Sequence, residues 1–273
     1  MKHFLIYTNR HKDRDMSVTG RIRSYLEEKG QRVSVNTEGV DWKEAADCMI
    51  VLGGDGTVLR AARETRELNI PIIGVNLGTL GYMTEIEPDN LEEALDRLIR
   101  GDYERESRMM LYGRAFLKGN GTEEGWALND IVISRKGPLQ IIRFDIYVNG
   151  QFLNDYCADG MIVTTPTGST GYNLSAGGPL VEPGARLIML TPICPHTLNQ
   201  RSIILSPEDM IEIRIPQGSE GCVQTVEASF DGGHGIPLRT GEGIRIVQSE
   251  KVTEFLRLNR VSFLEVLHGK MAE

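Results

Sequence analysis

Apolar and polar residues follow two different periods along the chain, and the change of period divides it. From Lys2 to about Arg100, short apolar runs typical of buried strands alternate with segments in which apolar residues recur every three or four positions. Glycine follows two of the helical segments, at Gly30 and Gly101, and is the residue that most often ends a helix. Strands that alternate with helices predict parallel pairing in a doubly wound α/β domain.

Beyond Arg105 the dominant period is two. Segments such as RMMLYGRAFLK, WALNDIVIS and LQIIRFDIYV read as strands, and the pair Asn149-Gly150 predicts a tight hairpin turn. Helical patterns are scarce until about Gln248. The predicted fold is an α/β N-terminal domain with a Rossmann-like parallel sheet plus an all-β C-terminal domain, a β-sandwich, with a C-terminal tail returning to the first domain. The predicted bounds are 1–101 for the α/β domain, 102–248 for the all-β domain and 249–273 for the C-terminal segment.

Composition narrows the function classes. The chain has 40% hydrophobic and 25% charged residues and no apolar stretch long enough to span a bilayer, and its N-terminal apolar run is too short for a signal peptide. We therefore expect a cytoplasmic protein without a membrane partner. The net charge of −8 argues against a nucleic-acid surface but not against a pocket for a small anion. The four cysteines are scattered and lack metal-ligand spacing.

The most informative segment is IVLGGDGT, from Ile50 to Thr57, where an apolar run ends at glycines. A glycine-rich turn before a helix brings backbone N–H groups close to a phosphate and points the positive helix end at it. The turn lacks the Gly-Lys-Ser/Thr of a Walker A loop. Asp55 is unusual there because a carboxylate repels phosphate, so we interpret it as a structural residue, as the helix N-cap, or as a catalytic base or metal ligand.

A second segment rich in small polar residues extends from Asp159 to Pro179, with the sequence DGMIVTTPTGSTGYNLSAGGP. Its hydroxyls could bind a nucleotide, its glycines permit close approach, and Tyr172 offers an aromatic face to a base. The alternative interpretation is a loop of the β domain that contains many turn residues.

These motifs resemble those of a known family. GGDGT resembles the phosphate-handling signature that NAD kinases share with diacylglycerol and sphingosine kinases and, more distantly, with phosphofructokinases. The segment from Asp159 to Pro179 closely resembles the long signature of NAD kinases. Leu128-Asn129-Asp130 resembles their short Asn-acid motif, in which the acid is commonly glutamate. GVNLGTLGYMTEI and ASFDGG are also similar, so the resemblance covers nearly the whole chain in order.

The resemblance implies transfer of the γ-phosphoryl group of ATP to the 2′-hydroxyl of the adenosine ribose of NAD, which makes NADP, with Asp55 as the general base. It implies Mg²⁺ held mainly by phosphates, with unknown protein ligands, and a homodimer or homotetramer; whether polyphosphate can replace ATP stays open. The residues expected to bind ATP phosphates are Gly53, Gly54, Gly56, Thr57 and Arg60. Those expected to bind NAD are Asp55, Gly56, Asn129, Asp130, Asp159, Thr170, Tyr172, Ser175 and Ala176.

Two alternatives remain at this point. A lipid or sphingoid-base kinase would share GGDGT, but it would need an apolar acceptor pocket or a membrane-facing surface, and no basic amphipathic helix is evident. A sensor that binds NAD or NADP without catalysis would not need the acid beside the phosphate turn.

Overall fold

The computed structural model describes residues 1–36, 46–78, 81–119, 121–136, 141–196, 201–233, 235–259 and 263–271. The chain divides into two compact units. The first unit comprises Met1–Arg108 and Val252–Glu273, and the second comprises Met109–Lys251.

Strands and helices alternate along the first part of the first unit. In chain order the elements are β1 (His3–Thr8), α1 (Ser17–Glu28), β2 (Arg32–Val35), β3 (Cys48–Gly53), α2 (Asp55–Glu64), β4 (Ile72–Asn76), β5 (Thr84–Ile86) and α3 (Leu91–Arg100).

Strands dominate the rest of the chain. The elements are β6 (Glu104–Phe116), β7 (Thr122–Ala127), β8 (Asp130–Arg135), β9 (Ile142–Val148), β10 (Gln151–Ala158), β11 (Gly160–Thr164), α4 (Tyr172–Ser175), β12 (Ile188–Ile193), β13 (Ile203–Leu205), β14 (Ile211–Arg214), β15 (Thr225–Phe230), β16 (Gly235–Arg239), β17 (Gly243–Arg257) and α5 (Phe263–Met271).

The first unit is built on a parallel sheet in which β3 is flanked by β1 and β4. Strand β2 pairs with β1 at one side, and β5 and the end of β17 pair with β4 at the other, all in parallel. Apolar side chains of α1 and α3 pack with those of the strands in one core. Gly30 and Gly101 follow α1 and α3 with φ of 74° and 80°, a conformation that glycine adopts without strain. The Rossmann-like α/β prediction is confirmed.

The second unit contains two antiparallel sheets that share a core. One sheet has the order β13-β12-β11-β8-β15-β16, and the other includes β10-β9-β14-β17 together with the β6-β7 hairpin. Side chains from both sheets, among them Phe144, Ile213, Ile133 and Val163, belong to one buried cluster. The predicted β-sandwich is therefore confirmed. The hairpin between β9 and β10 turns at Asn149-Gly150, where both residues have positive φ.

The C-terminal tail returns to the first unit, as predicted. Phe255 of β17 pairs with Ile72, and Leu256 and Leu258 belong to the core of the first unit. No helix in the described part of the chain combines the length and the apolar character that crossing a bilayer requires.

Two phenylalanines on neighbouring strands test the sandwich core. Phe144 on β9 is fully buried, whereas Phe152 on β10 is 57% exposed. We expect Phe144→Ala to lower the free energy of unfolding by about 3–5 kcal/mol, because it leaves a cavity among packed side chains. Phe152→Ala is the matched control and should cost less than about 1 kcal/mol. Urea denaturation measures both values, and equal losses would contradict this assignment of the core.

Candidate active site

The GGDGT turn connects β3 to α2 at the carboxyl edge of the parallel sheet. Gly53 is the last residue of the fully buried β3, and Asp55 is the first residue of α2. The N-cap is Gly54, which has an extended backbone and accepts the Thr57 N–H at 2.8 Å. The N-cap interpretation of Asp55 is therefore wrong, because the helix starts one residue earlier than that role requires.

The Asp55 carboxylate is held by a second backbone segment instead. The N–H groups of Tyr82 and Met83 donate to its two oxygens at 2.9 and 3.0 Å. Gly81 leaves room for this contact, since a Cβ there would overlap the carboxylate. Each oxygen keeps further lone-pair capacity, because a carboxylate accepts about four hydrogen bonds. The half-buried side chain is thus an oriented acceptor.

The phosphate-binding candidates differ in their exposure. The backbone turn brings Gly53, Gly54, Gly56 and Thr57 together, with Gly56 exposed and Thr57 6% exposed. The Asn9 amide donates to the Thr57 hydroxyl at 2.9 Å. A Cβ on Gly53 would overlap that hydroxyl, so glycine is required there.

Arg60 lies apart from the turn. It is exposed and five residues into α2, which is roughly 7.5 Å along the helix axis from Asp55. Its charge, like that of Arg63, opposes the rise in the pKa of Tyr7 that burial causes. The Tyr7 hydroxyl donates to Glu64 at 2.8 Å. Residues 79 and 80, in the second glycine-rich turn of the sequence, lie outside the described residues.

In the second unit, the Asn-acid motif is held by a residue that the sequence did not identify as functional. The carboxylate of Asp231 accepts the N–H groups of Leu128, Asn129 and Asp130 at 2.8, 2.8 and 3.0 Å. These bonds interrupt the single strand predicted for WALNDIVIS, which is split into β7 and β8. The segment ASFDGG could have indicated this residue, because Asp followed by glycines is common where the backbone takes a positive φ. Asp231 has a φ of 49°.

The two side chains of this motif are prepared for a polar ligand in different ways. Asn129 Oδ1 is buried and has no hydrogen-bond partner among the described residues. A buried acceptor without a partner is costly, and a ligand hydroxyl or amide could satisfy it. Asp130 is 6% exposed, and burial, assisted by the charge of Asp231, raises its pKa to about 7. Asp130 can therefore be either protonated or charged near neutral pH.

Part of the hydroxyl-rich segment is structural. The hydroxyls of Thr164 and Thr165 donate to the carbonyl oxygens of Asn129 and Leu128 at 2.9 and 2.6 Å. A Cβ on Gly168 would lie 2.6 Å from the Asn129 oxygen, so glycine permits this close approach. These contacts fix the segment against the Asn-acid motif.

The remaining predicted NAD ligands lie farther along the same segment, after a 3-10 turn at Thr167–Thr170. Tyr172 is 47% exposed, Ser175 is exposed and Thr170 is half-buried. Ala176 packs against a small cluster of Val132, Ile162 and Ile193. The exposed Tyr172 ring is thus presented by a segment whose base is anchored.

Asp159 lies at the opposite end of β11 from the Asn-acid motif. Gly160 is opposite Ser134 on β8, whereas Thr164 is opposite Asp130. The distance along the strand is on the order of 15 Å. Asp159 forms an ion pair with Arg135 at 3.2 Å. Within one chain the structure therefore does not bring Asp159 together with Asn129 and Asp130.

No group of three or more His, Cys, Asp or Glu side chains within the described ranges is arranged to hold a metal ion. The GGDGT turn contributes a single carboxylate.

Two family models match the chain. The ATP-NAD kinase N-terminal domain matches residues 6–103, and the ATP-NAD kinase C-terminal domain matches residues 128–258. A protein of Lachnospira eligens named NAD kinase is 47% identical, over 99% of this chain and 100% of the relative. One of Agathobacter rectalis with the same name is 45% identical, over 99% of each chain.

Solved structures of similar fold include an NAD kinase from Archaeoglobus fulgidus in complex with ATP. It is 28% identical with a TM-score of 0.78, over 100% of this chain and 99% of that one. A yeast NADH kinase complexed with NADH has a TM-score of 0.86 at 24% identity, over 100% of this chain and 88% of that one. Together with the oriented Asp55 and the anchored Asn-acid motif, the matches along both units show that the chain belongs to the NAD kinase family.

Proposed function

We propose that the protein is an enzyme that transfers the γ-phosphoryl group of ATP to the 2′-hydroxyl of the adenosine ribose of NAD, with ADP and NADP as products. The observation that carries the proposal is the 47% identity, along 99% of the chain, to a relative named NAD kinase. The Archaeoglobus fulgidus neighbour in complex with ATP supports ATP as the donor.

Asp55 is the general base of this proposal. A ribose hydroxyl is a weak nucleophile at neutral pH, and positioned removal of its proton is worth about 10²- to 10⁴-fold in rate. The hydroxyl oxygen forms a bond to the γ-phosphorus while the bond from that phosphorus to the β,γ-bridging oxygen breaks. The proton goes to an Asp55 oxygen, whose direction is set by the N–H groups of Tyr82 and Met83.

The turn around Asp55 suits the donor phosphates. Backbone N–H groups at the start of α2, including that of the exposed Gly56, are uncharged donors that can bind phosphate oxygens. We propose Mg²⁺ as the cofactor, because a turn with one carboxylate fits a cation that takes most of its ligands from phosphates and water. When bound, Mg²⁺ neutralises charge on the transferred phosphoryl group.

The second unit supplies the groups for NAD. The partnerless Asn129 Oδ1 and the Asp130 carboxyl can bind ribose hydroxyls, and Tyr172 can stack on a base. Thr170, Ser175 and Ala176 complete this proposed set. We also propose that Asp159 contacts the nicotinamide half of NAD. The proposal further includes a cytoplasmic location, a homodimer or homotetramer, and the use of polyphosphate.

One assay separates this function from its alternatives. Purified protein is incubated with ATP, Mg²⁺ and NAD, and NADP is detected with an NADP-specific dehydrogenase. Formation of NADP supports the proposal. NAD binding without NADP formation would indicate a sensor, and phosphorylation of a sphingoid base or diacylglycerol instead would indicate a lipid kinase.

Replacement of Asp55 tests the base. We expect Asp55→Asn to lower kcat by about 10²- to 10⁴-fold while the Kd for NAD changes little, because the amide cannot accept the proton. The amide also loses one of the two backbone bonds. Thermal unfolding of Asp55→Asn is therefore the control, because a midpoint close to that of wild type shows that the loss of this bond leaves the turn folded. Near-normal turnover of Asp55→Asn would remove this residue from the base role.

The raised pKa of Asp130 predicts a pH-dependent affinity for NAD. Below about pH 7 the carboxyl is protonated, and above it the carboxylate accepts ribose hydroxyls. Because the charged form binds the ribose hydroxyls, KM for NAD should fall by about 10-fold between pH 6 and pH 8. Asp130→Asn should flatten this dependence, and Asp130→Glu should keep part of it. A wild-type KM that does not change with pH would contradict the role.

Tyr172 tests the stacking role of the second segment. Because base stacking on an aromatic ring is worth about 1–3 kcal/mol, Tyr172→Ala should raise KM for NAD about 10-fold or more and leave KM for ATP nearly unchanged. Tyr172→Phe should resemble wild type. Leu174→Ala, at a neighbouring position that is 43% exposed, is the matched control. Equal losses for NAD and ATP would exclude a specific NAD contact.

A further inference from the structure

The segment directly after β1 has a positively charged surface in a chain of net charge −8. Arg10, His11, Lys12 and Arg14 are all exposed. The acid among them, Asp13, is 3% exposed, and its carboxylate accepts N–H groups at the start of α1. Asp15, which follows Arg14, is exposed as well, so the outer face of the segment carries the charged groups of Arg10, Lys12 and Arg14 and one carboxylate.

Asn9 ties this segment to the GGDGT turn. Its N–H donates to the Leu52 carbonyl at 3.1 Å, and its side-chain amide donates to the Thr57 hydroxyl at 2.9 Å. Its own carbonyl accepts the N–H groups of Lys12 and Asp13 at 2.9 and 3.0 Å. Leu52, before the glycine turn, and Thr57, at its end, thus hold Asn9 at the start of the segment that carries Lys12.

Lys12 extends from this segment to the loop after β4. A Cβ placed on Gly78 would lie 3.2 Å from the Lys12 ammonium, and among the described residues outside its chain neighbours no other atom lies within 4 Å of it. Strand β3 lies between β1 and β4 and pairs with both. A side chain that starts after β1 and ends beside the loop after β4 must cross the carboxyl end of β3. That end is Gly53, the first glycine of the turn.

The Lys12 ammonium forms no ion pair with any described residue. The turn below it lacks the lysine of a Walker A loop, which serves there as a point charge for phosphates. Arg60, the cation expected from the sequence, lies farther along α2 near Tyr7 and Glu64. Among the described residues, Lys12 is thus the cation whose side chain extends across the phosphate-binding turn.

We propose that Lys12 is a positioning residue for the phosphoryl donor and binds its triphosphate over the GGDGT turn. This inference rests on the proposed function, because it assigns a contact to the donor of that reaction. An ammonium in this position neutralises phosphate charge and orients the donor, and it makes no contact that would discriminate the nucleotide base.

The test compares Lys12→Met with Lys12→Arg and with Arg14→Met, which removes the same charge from the same segment. We expect Lys12→Met to raise KM for ATP by at least about 10-fold, with kcat changed less and KM for NAD unchanged. Lys12→Arg should recover most of the affinity, and Arg14→Met should resemble wild type. Inorganic tripolyphosphate serves as a competitor of ATP, and its affinity for Lys12→Met should fall by the same factor as the affinity for ATP.

Two outcomes would overturn the role of Lys12: an unchanged KM for ATP, or equal increases for Lys12→Met and Arg14→Met. The proposed function is tested separately, by whether the wild-type protein makes NADP. If it does not, calorimetric titration with MgATP still decides the role of Lys12, through the ratio of Kd values for wild type and Lys12→Met. Thermal unfolding of each variant reports whether the fold is intact.

Discussion

The site in the first unit depends on one carboxylate that two backbone N–H groups hold in place. Asp55 stands at the start of a helix, inside a glycine turn suited to phosphate, where its charge would otherwise be unfavourable. The N–H groups of Tyr82 and Met83 stabilise that charge and join the β3-α2 turn to the loop after β4. Gly81 and Gly53 are both explained by this arrangement, because a side chain at either position would displace Asp55 or Thr57. The two glycines therefore make room for Asp55 and for the start of the helix, in addition to any room that they leave for phosphate.

The second unit uses the same kind of interaction at its own ligand-binding candidate. Asp231 receives three N–H groups and adopts a left-handed backbone conformation to do so. Such strain costs of order 1–3 kcal/mol and persists only where surrounding contacts hold it. The consequence is chemical, since the charge of Asp231 adds to the effect of burial on the pKa of Asp130. A residue that holds the backbone thereby also adjusts the protonation of its neighbour.

The periodicity of the sequence predicted both kinds of sheet because local patterning reports which face of an element is buried. Asp55 could be identified as unusual because its glycines are adjacent in sequence. The contacts that define the sites could not be found in this way. Asp231 acts on residues about 100 positions away, and the Lys12 ammonium meets Gly78 only because β1 and β4 flank β3. The ion pair of Asp159 with Arg135 was likewise invisible to a pattern based on chain order.

The length of the second signature follows from two separate demands on its residues. Thr164, Thr165 and Gly168 are used to hold the segment against Asn129, and their polar groups face the protein. Tyr172 and Ser175 are exposed and can contact a ligand, and the buried hydroxyls of Thr164 and Thr165 fix the base of the segment that carries them. A small loop without such anchors would lose conformational entropy on binding, which weakens affinity. The density of hydroxyl residues in this segment therefore reflects preorganisation more than the number of contacts to a nucleotide.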